Sequence, residues 1–473
     1  MIFEWAASTV SLLFCLLPAV LLLRTGAVFI PTHLLFLAMF VPGLHLANLV
    51  SDPDRTWQGD YYMAAHLSWM AYAWGVYLMA VGGRRLLLSD RSLVDQVRGI
   101  NDNWIAGAFL AWIALKLYLI AKYGILAFAT YRELAGPDES LFRFASWETA
   151  LEQYAVAFAT GASAAWAIKA AAIPGYWKRP WPLSAMLAFM LPFLVALESP
   201  LGTRRFILIL VVVGALVLLN RHSISAWRFV VKRWRHLALL ATLTLGIAMY
   251  YQTVRRNYYE PEVAALLTSS SLIEILEGAG MALIPRFGAS SATDDGAGAL
   301  INRDGPFELT YEIVRELCGG NPGTRGEIMS ISLNAVLPRA ISGENKEQVT
   351  SDDVINERMS VTPRFSRLIR DLSTSLPSIF ISDFGVIGVA IAPAVFVLCV
   401  GAVLAISRLR WTRGGPWNLL WLGLLILMVG SVENDLVSYL SIVRNALIAL
   451  TFAILLAGFR KAVKPVRLAT RTA

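Results

Sequence analysis

The chain has 473 residues, of which 57% are apolar and only 16% are charged, and its mean hydropathy is +0.58. Soluble domains are about half apolar and about a quarter charged, so this composition excludes an ordinary soluble protein and indicates a membrane protein. The formal net charge is +8. Because membrane proteins concentrate lysine and arginine in their cytoplasmic loops, this surplus does not call for a nucleic-acid partner.

A helix needs about 20 predominantly apolar residues to cross a bilayer, because every backbone polar group must be satisfied within it. The sequence predicts an all-α polytopic membrane protein of about eleven transmembrane helices, or twelve if one is hidden, with one large helical external loop. The predicted spans lie near 6–23, 29–49, 61–81, 104–123, 152–172, 183–198, 205–219, 237–251, 385–406, 417–432 and 442–459.

Basic residues are distributed unevenly between the segments that connect these spans. They outnumber acidic residues in the segments after every odd-numbered span, including the tail with Arg460, Lys461 and Lys464, whereas the other short segments together carry more acidic than basic residues. Since cytoplasmic loops carry the positive excess, the carboxyl terminus is expected in the cytoplasm. With an odd number of spans, the amino terminus and residues 251–384 are then expected outside.

The chain therefore divides into three predicted parts. Residues 1–250 form an amino-terminal transmembrane bundle, 251–384 form the large external loop, and 385–473 form the carboxyl-terminal helices and a basic cytoplasmic tail. Within the loop, Pro261–Leu283 has apolar residues at helical spacing, and Pro306–Leu317 opens with a proline at a position typical of a first helical turn. A long organised loop of this kind is usually a lid or a binding surface.

Charged side chains cluster at the predicted outer boundary of several spans. Glu198, Arg204 and Arg205 occupy one short outer turn, and Arg255 and Arg256 follow the eighth span among four tyrosines. A charge at the centre of a membrane helix costs on the order of 3 kcal/mol, so charges near spans are often functional. Arginine also binds phosphate with two parallel hydrogen bonds. The alternative is that these residues only mark the interface and reach out to lipid headgroups.

Two further stretches carry candidate site residues. The segment LNAVLPRAISGENK contains Arg339 and Lys346, and the last outer turn contains Glu433, Asp435 and Arg444. A carboxylate there could act as a base toward a sugar hydroxyl or hold an arginine in place, and the alternative is a polar helix end. The cluster Arg364, Arg367 and Arg370 shares one helical face and is also explained by solvation.

The predicted external loop lacks the residues of several familiar mechanisms. All five histidines lie outside it, and it contains no HExxH or paired-cysteine motif. Zinc hydrolysis and histidine-based nucleophilic catalysis in this loop are therefore not expected, and neither a metal nor another cofactor is predicted. Lys116 is the clearest charged residue deep within a predicted span.

The stretch from LNAVLPRAISGENK to PSIFISDFGVIGVAIAPAVFVLCVGAV resembles the carboxyl-terminal half of Wzy-type O-antigen and exopolysaccharide polymerases. In that family an external loop carries Pro-Arg and then a lysine, and it returns to the membrane through a proline, an acid or amide, and Phe-Gly-x-x-Gly. The corresponding residues in this chain are Pro338, Arg339, Lys346, Pro377, Asp383, Phe384, Gly385 and Gly388. The Gly202-Thr203-Arg204-Arg205 turn is similar to the Ser/Gly-Arg element of the family.

The resemblance implies a metal-independent GT-C-class glycosyltransferase in the inner membrane of a bacterium. Its donor would be a growing glycan on undecaprenyl pyrophosphate and its acceptor a single repeat unit on the same lipid, with a chain-length regulator as a further partner. The arginines would hold the pyrophosphate. Arg204, Arg339, Glu198 and Glu433 are the expected catalytic residues, and Arg205, Arg255, Arg256, Lys346, Asp383, Asp435 and Arg444 the expected substrate-binding residues.

Three other functions fit the same architecture. An O-antigen ligase is expected to carry a catalytic histidine in its external loop, which this chain lacks. A metal-dependent polyprenyl-phosphate glycosyltransferase would need acidic ligands, for which only Asp52 and Asp54 are suitably spaced, in a very short loop. A lipid-linked sugar transporter would show internal repeats and polar residues deep within its spans.

Overall fold

A computed structural model of the protein describes most of the predicted amino-terminal and carboxyl-terminal spans and parts of the segment between them. The described residues are 2–23, 25, 27–51, 57–88, 96–123, 146–181, 183–185, 235, 261–267, 272–283, 305–337, 351–359, 374–409, 412, 414–430, 432 and 435–462.

Every regular element among these residues is a helix, which confirms the all-α prediction. In the amino-terminal part the helices are α1 (Ile2–Leu23), α2 (Phe29–Ala38), α3 (Leu44–Ser51), α4 (Gly59–Gly82), α5 (Arg84–Leu87), α6 (Asp102–Tyr123) and α7 (Ser146–Ala172). Further along the chain they are α8 (Pro261–Leu267), α9 (Leu272–Leu283), α10 (Pro306–Cys318), α11 (Glu327–Val336), α12 (Ser351–Met359), α13 (Leu376–Phe384), α14 (Val386–Ser407), α15 (Pro416–Val429) and α16 (Leu436–Ala462).

Within the described residues, 6 helices are long and apolar enough to cross a membrane, and each coincides with a predicted span. They are Ile2–Leu23, Phe29–Leu46, Asp102–Tyr123, Trp147–Ala172, Val386–Ser407 and Leu436–Ala457. The predicted spans 61–81 and 417–432 correspond to α4 and to the shorter apolar helix α15. The predicted spans 205–219 and 237–251, and nearly all of 183–198, lie outside the described residues, so the number eleven stays a prediction.

The outermost helices present apolar side chains to their surroundings. On α1, Leu13 and Phe14 are exposed, and on α16, Phe452 and Leu455 are exposed. Backbone polar groups of these helices are satisfied internally, so such faces suit the hydrocarbon of a bilayer. The interior of the bundle is filled instead by large aromatic side chains, among them the fully buried Trp69 and Trp421.

Two glycines allow α7 and α15 to pack with their backbones in contact. A β-carbon at Gly161 would lie 1.8 Å from the carbonyl oxygen of Leu419, and one at Gly423 would lie 1.7 Å from the carbonyl oxygen of Ala157. Small residues four positions apart at a helix crossing are a common device in membranes, where close van der Waals packing replaces the hydrophobic effect between helices. This crossing therefore depends on the absence of side chains at both glycines.

One end of α6 is fastened to α7 and the turn after it by the carboxylate of Asp102. It accepts hydrogen bonds from Lys169 at 2.6 Å, from the Tyr176 hydroxyl at 2.7 Å and from Arg179 at 2.9 Å. Burial, and the bond to this carboxylate, raise the pKa of Tyr176. These residues lie at the end of the hairpin that the charge pattern assigns to the cytoplasm.

Most of the described residues of the segment predicted as an external loop are helical. Helix α10 begins with Pro306 in its first turn, as the sequence predicts, and the Glu308 side chain accepts a 2.7 Å hydrogen bond from the backbone amide of Gly305. The predicted helical region 261–283 contains α8 and α9, with residues 268–271 between them outside the described residues. Helix α10 packs against α4 and α13, and α11 packs against α13 and α16.

Candidate functional site

Three of the eleven predicted site residues lie in the part of the chain that the structure describes. They are Asp383, Asp435 and Arg444. The other eight lie outside the described residues, namely Glu198, Arg204, Arg205, Arg255, Arg256, Arg339, Lys346 and Glu433. The geometry of the candidate site is therefore built from the three described residues and the elements that hold them.

Arg444 lies two turns into α16 and faces the end of α11. Its guanidinium donates to the carbonyl oxygen of Val336 at 3.4 Å and to the side-chain oxygen of Asn445 at 3.3 and 3.4 Å. These are long contacts with neutral acceptors, and they are weaker than the bonds that arginine makes with a carboxylate. No carboxylate in the described part of the chain pairs with Arg444, so a half-buried positive charge on a predicted membrane helix has no acidic counterpart there.

Asn445 connects Arg444 to α7. Its side-chain amide donates to the Gln153 side chain at 3.0 Å, and its backbone carbonyl accepts from the Tyr154 hydroxyl at 2.9 Å. The side-chain oxygen of Asn445 stays directed at the guanidinium because its amide nitrogen is engaged by Gln153. The network therefore fixes the direction of Arg444 without neutralising its charge.

Asp383 lies at the end of α13, and its buried carboxylate faces the start of α11. It accepts hydrogen bonds from the Thr324 hydroxyl at 2.5 Å and from the backbone amides of Ile328 at 3.3 Å and Met329 at 2.9 Å. The first amides of a helix have no partner within the helix, and a negative charge beside them is stabilised by the helix dipole. The described contacts of Asp383 are thus those of a helix cap, and its predicted role in substrate binding stays a prediction.

At both glycines of the Phe-Gly-x-x-Gly motif, the local structure disfavours any side chain. Gly385 joins α13 to α14 with φ +60°, a backbone conformation that other residues rarely adopt. A β-carbon at Gly388 would lie 1.8 Å from the carbonyl oxygen of Phe380, because α13 folds back against the first turn of α14. Together with Asp383, these glycines make α13, α14 and the start of α11 one packed unit.

Asp435 caps the first turn of α16. Its carboxylate accepts from the backbone amide of Ser438 at 2.8 Å and from the Ser438 hydroxyl at 2.6 Å. This is the ordinary arrangement of an acidic residue at a helix start. Asp435 lies immediately before the helix that carries Arg444, and its predicted role toward substrate stays a prediction.

Lys116, which the sequence marked as a charge deep in a span, is paired. Its ammonium donates to the Glu152 carboxylate at 2.8 Å and lies 5.5 Å from the centre of the Trp112 ring. Glu152 precedes Gln153, so the ion pair on α6 and α7 adjoins the network that directs Arg444. A charge buried among helices is tolerated where a charge of opposite sign neutralises it.

A second carboxylate on α7, that of Glu148, joins this helix to the end of α6. Glu148 is fully buried and accepts from Lys122 at 2.6 Å and from the Tyr118 hydroxyl at 2.8 Å, with Tyr123 as a further donor. The ring of Trp147 lies within 5.9 Å of the Lys122 ammonium. These aromatic and charged groups suit the interface between a membrane and water.

A buried polar cluster that the sequence interpretation missed lies at the start of α10. It joins Glu308 on α10 to His45, Tyr62, Ser8 and His66, which come from three other helices. All five histidines lie outside the predicted loop in the sequence, but Glu308 of that loop contacts His45 in the fold. The available signal was the spacing of Tyr62, His66 and Trp69, which places three polar or aromatic side chains on one face of α4.

No group of three or more His, Cys, Asp or Glu side chains among the described residues is arranged to hold a metal ion. The expectation of a reaction without metal or other cofactor stays a prediction.

No protein-family model, curated protein or solved structure matches the chain. Its function is therefore inferred from its own residues and from the resemblance of its motifs.

Proposed function

We propose that the protein polymerises lipid-linked oligosaccharide repeat units on the outer face of a bacterial inner membrane. The observation that carries this proposal is the half-buried Arg444 guanidinium, which is directed at the end of α11 and has no carboxylate partner among the described residues. An unneutralised cation at a membrane boundary favours an anionic ligand, and a lipid pyrophosphate brings such a charge to that depth.

A second arginine, Arg339, follows shortly after the end of α11 in the sequence. Arg339 follows Val336 by three positions in the sequence, and three residues of chain span at most about 11 Å. In the sequence, Arg339 is therefore close to Val336, the residue of α11 that Arg444 contacts. Two arginines can bind the two phosphates of a pyrophosphate, each with its planar fork of donors.

The motif residues support the proposal by fixing α11 in place. Asp383 caps the start of α11, and Gly385 and Gly388 allow α13 to fold against α14. Helix α11 is thus held at its start by Asp383 and contacted at its end by Arg444. Pre-organised positive groups contribute most when they face the position where charge develops in the reaction.

The chemistry follows from the leaving group. An acceptor sugar hydroxyl attacks the anomeric carbon of the donor glycan, a new glycosidic carbon–oxygen bond forms, and the bond from that carbon to the pyrophosphate breaks. The hydroxyl proton passes to a carboxylate base, for which Glu198 and Glu433 are the candidates. The pyrophosphate leaves with the electron pair, and Arg444 and Arg339 stabilise its negative charge, assisted by Arg204, Arg205, Arg255, Arg256 and Lys346.

The main alternative function is that of a transporter. This alternative predicts charged or polar residues deep within the membrane spans. Lys116 is the clearest charge deep within a predicted span, and Glu152 neutralises it with a 2.8 Å bond. A single ion pair between two neighbouring helices is explained by their packing and does not by itself form a substrate route across the membrane. The described residues therefore favour an anion-binding site at the outer boundary over a route across the membrane.

The test is glycan analysis in the host after deletion of the gene, with the intact gene restored as the control. The proposal predicts loss of long glycan while single repeat units remain, and recovery on restoration. Full-length polymer that persists on the carrier lipid would instead identify a ligase. Repeat units that stall on the cytoplasmic side would identify a transporter.

A further inference from the structure

Two aromatic side chains are exposed at the end of the α6–α7 hairpin that the charge pattern assigns to the outside. Trp147 on α7 is 56% exposed and Tyr118 on α6 is 41% exposed, and their ring centroids lie 6.5 Å apart. The two ring planes are inclined by 39°, so the rings do not cover each other face to face. Both rings therefore offer surface to a ligand.

The buried Glu148 carboxylate fixes the side chains around these rings. It accepts hydrogen bonds from the Tyr118 hydroxyl at 2.8 Å, from Lys122 at 2.6 Å and from the Tyr123 hydroxyl. The Lys122 ammonium in turn lies 5.8 Å from the centre of the Tyr118 ring and 5.9 Å from that of Trp147. These contacts orient the rings before any ligand arrives, which lowers the entropy cost of binding.

The charges beside the rings favour a neutral ligand that carries hydroxyl groups. The Lys122 ammonium pairs with the Glu148 carboxylate at 2.6 Å, so the two charges balance and supply no excess positive charge for an anionic lipid headgroup. The Lys122 side chain is still 43% exposed, so its ammonium can donate to a ligand hydroxyl. A sugar ring has a C–H face that is attracted to the negative face of an aromatic ring, and its edge carries hydroxyls. A saccharide matches both features.

Helix α7 places Trp147 on the same face as the network around Arg444. Trp147 and Tyr154 are seven residues apart, which is close to two helical turns, so they share a face and lie about 10 Å apart along the helix axis. Leu151 lies between them on this face and is exposed. The Tyr154 hydroxyl donates to the backbone carbonyl of Asn445, the neighbour of the arginine. An exposed stretch of α7 thus leads from the arginine network to the Trp147 ring.

We propose that Trp147 and Tyr118 form a saccharide-binding platform, which holds the sugar residues nearest the pyrophosphate of the lipid-linked donor. A donor with its pyrophosphate at Arg444 directs its glycan away from the membrane, along the exposed face of α7 and onto the two rings. Lys122 donates to a hydroxyl of the bound sugar. This inference rests on the proposed function, because it takes the pyrophosphate position at Arg444 as its starting point.

The other explanation of exposed aromatic residues at a membrane boundary is anchorage among lipid headgroups. Trp104 lies at the opposite end of α6, is 51% exposed and fits that explanation. It has the same side chain and nearly the same exposure as Trp147, but it lies at the end of the hairpin that the charge pattern assigns to the cytoplasm. Trp104 is therefore the matched control for a role of Trp147 in saccharide binding.

The experiment measures oligosaccharide binding to the purified full-length protein in lipid nanodiscs. The probe is the repeat-unit oligosaccharide released from the host's own glycan, without lipid or pyrophosphate, and ligand-observed NMR gives its dissociation constant after subtraction of empty nanodiscs. Trp147→Ala is expected to weaken binding by about tenfold, the loss of one ring contact. Trp147→Phe keeps a ring face and should weaken binding less, and Trp104→Ala should leave it unchanged.

A second ring variant and an activity assay complete the test. Tyr118→Ala should also weaken binding, and it carries the test if Trp147→Ala does not fold. Equal binding by wild type and the folded ring variants, or equal weakening by Trp104→Ala, would overturn the platform. Polymer formation in vesicles by a wild-type protein that binds no oligosaccharide would overturn the platform and leave the proposed function standing. Binding that depends on Trp147 without polymer formation would support the platform and contradict the proposed function.

Discussion

The carboxylate of Asp383 accepts a 2.9 Å hydrogen bond from the backbone amide of Met329. This bond joins the end of α13, which leads into a predicted membrane span, to the first turn of α11. Arg444 contacts the other end of α11 through the carbonyl oxygen of Val336. The position of this carbonyl relative to Arg444 therefore depends on Asp383 at the opposite end of the helix. Asp383, a residue of the motif that resembles the polymerase family, therefore holds α11 against α13 in the described structure.

The first prediction concerns this cap. Asp383→Ala should lower the free energy of unfolding by about 1–3 kcal/mol, because buried backbone amides of α11 lose their acceptor. Asp383→Asn should cost less, since its side-chain oxygen can still accept one of these bonds. Thermal unfolding of the purified protein in detergent measures both effects.

The control for the cap is Glu357→Gln, an exposed change on α12, which should leave the unfolding temperature unchanged. If Asp383→Ala abolished glycan synthesis without any loss of stability, its carboxylate would act on the substrate and the cap would be unimportant.

The second prediction concerns the crossing of α7 and α15. Gly161→Ala should destabilise the protein, because its methyl group would lie 1.8 Å from the Leu419 carbonyl oxygen and the two helices would have to separate. Overpacking of this kind costs about 1–3 kcal/mol, which exceeds the gain of at most about 1 kcal/mol from the better helix propensity of alanine. Gly107→Ala on α6 is the matched control, since nothing lies within 4 Å of the added methyl group. Equal unfolding temperatures for the two variants would show that the crossing is looser than described.

The third prediction concerns the ion pair between Lys116 and Glu152. Lys116→Met and Glu152→Gln each remove one charge of the pair, so each should destabilise the protein by about 3 kcal/mol. The double variant should be less destabilised than the sum of the two, since neither charge remains. A double-mutant cycle on thermal unfolding measures the coupling. Strict additivity would mean that the two charges do not interact across α6 and α7.

The helices were largely predictable because hydropathy is a property of a local stretch of chain. The apolar run of α14 between Gly385 and Arg408 marks a span without reference to any other part of the protein. Helix α4 is a harder case, since Tyr62, His66 and Tyr72 lower its hydropathy although all three are buried. Their polar atoms contact other helices, and a hydropathy profile does not register such contacts.

The candidate site was less predictable because its contacts join distant parts of the sequence. His45 and Glu308 are separated by 263 positions, and no local pattern connects them. Arg444 was identified from its position in an outer turn, but its contact with Val336 depends on how α11 lies against α16. Asp383 was identified from a motif, and its role as a cap depends on the packing of α11 against α13.

The central claim is that Arg444 binds the pyrophosphate of a lipid-linked glycan. The most direct measurement is glycan synthesis by the purified protein in vesicles supplied with its lipid-linked repeat unit, comparing wild type, Arg444→Ala and Arg358→Gln. Arg358 is the matched control, because it is an exposed arginine that already pairs with Glu327 at 2.9 Å. We predict that Arg444→Ala slows polymer formation by about 100-fold or more while Arg358→Gln does not. Polymer of normal length formed at the wild-type rate by Arg444→Ala would contradict the claim.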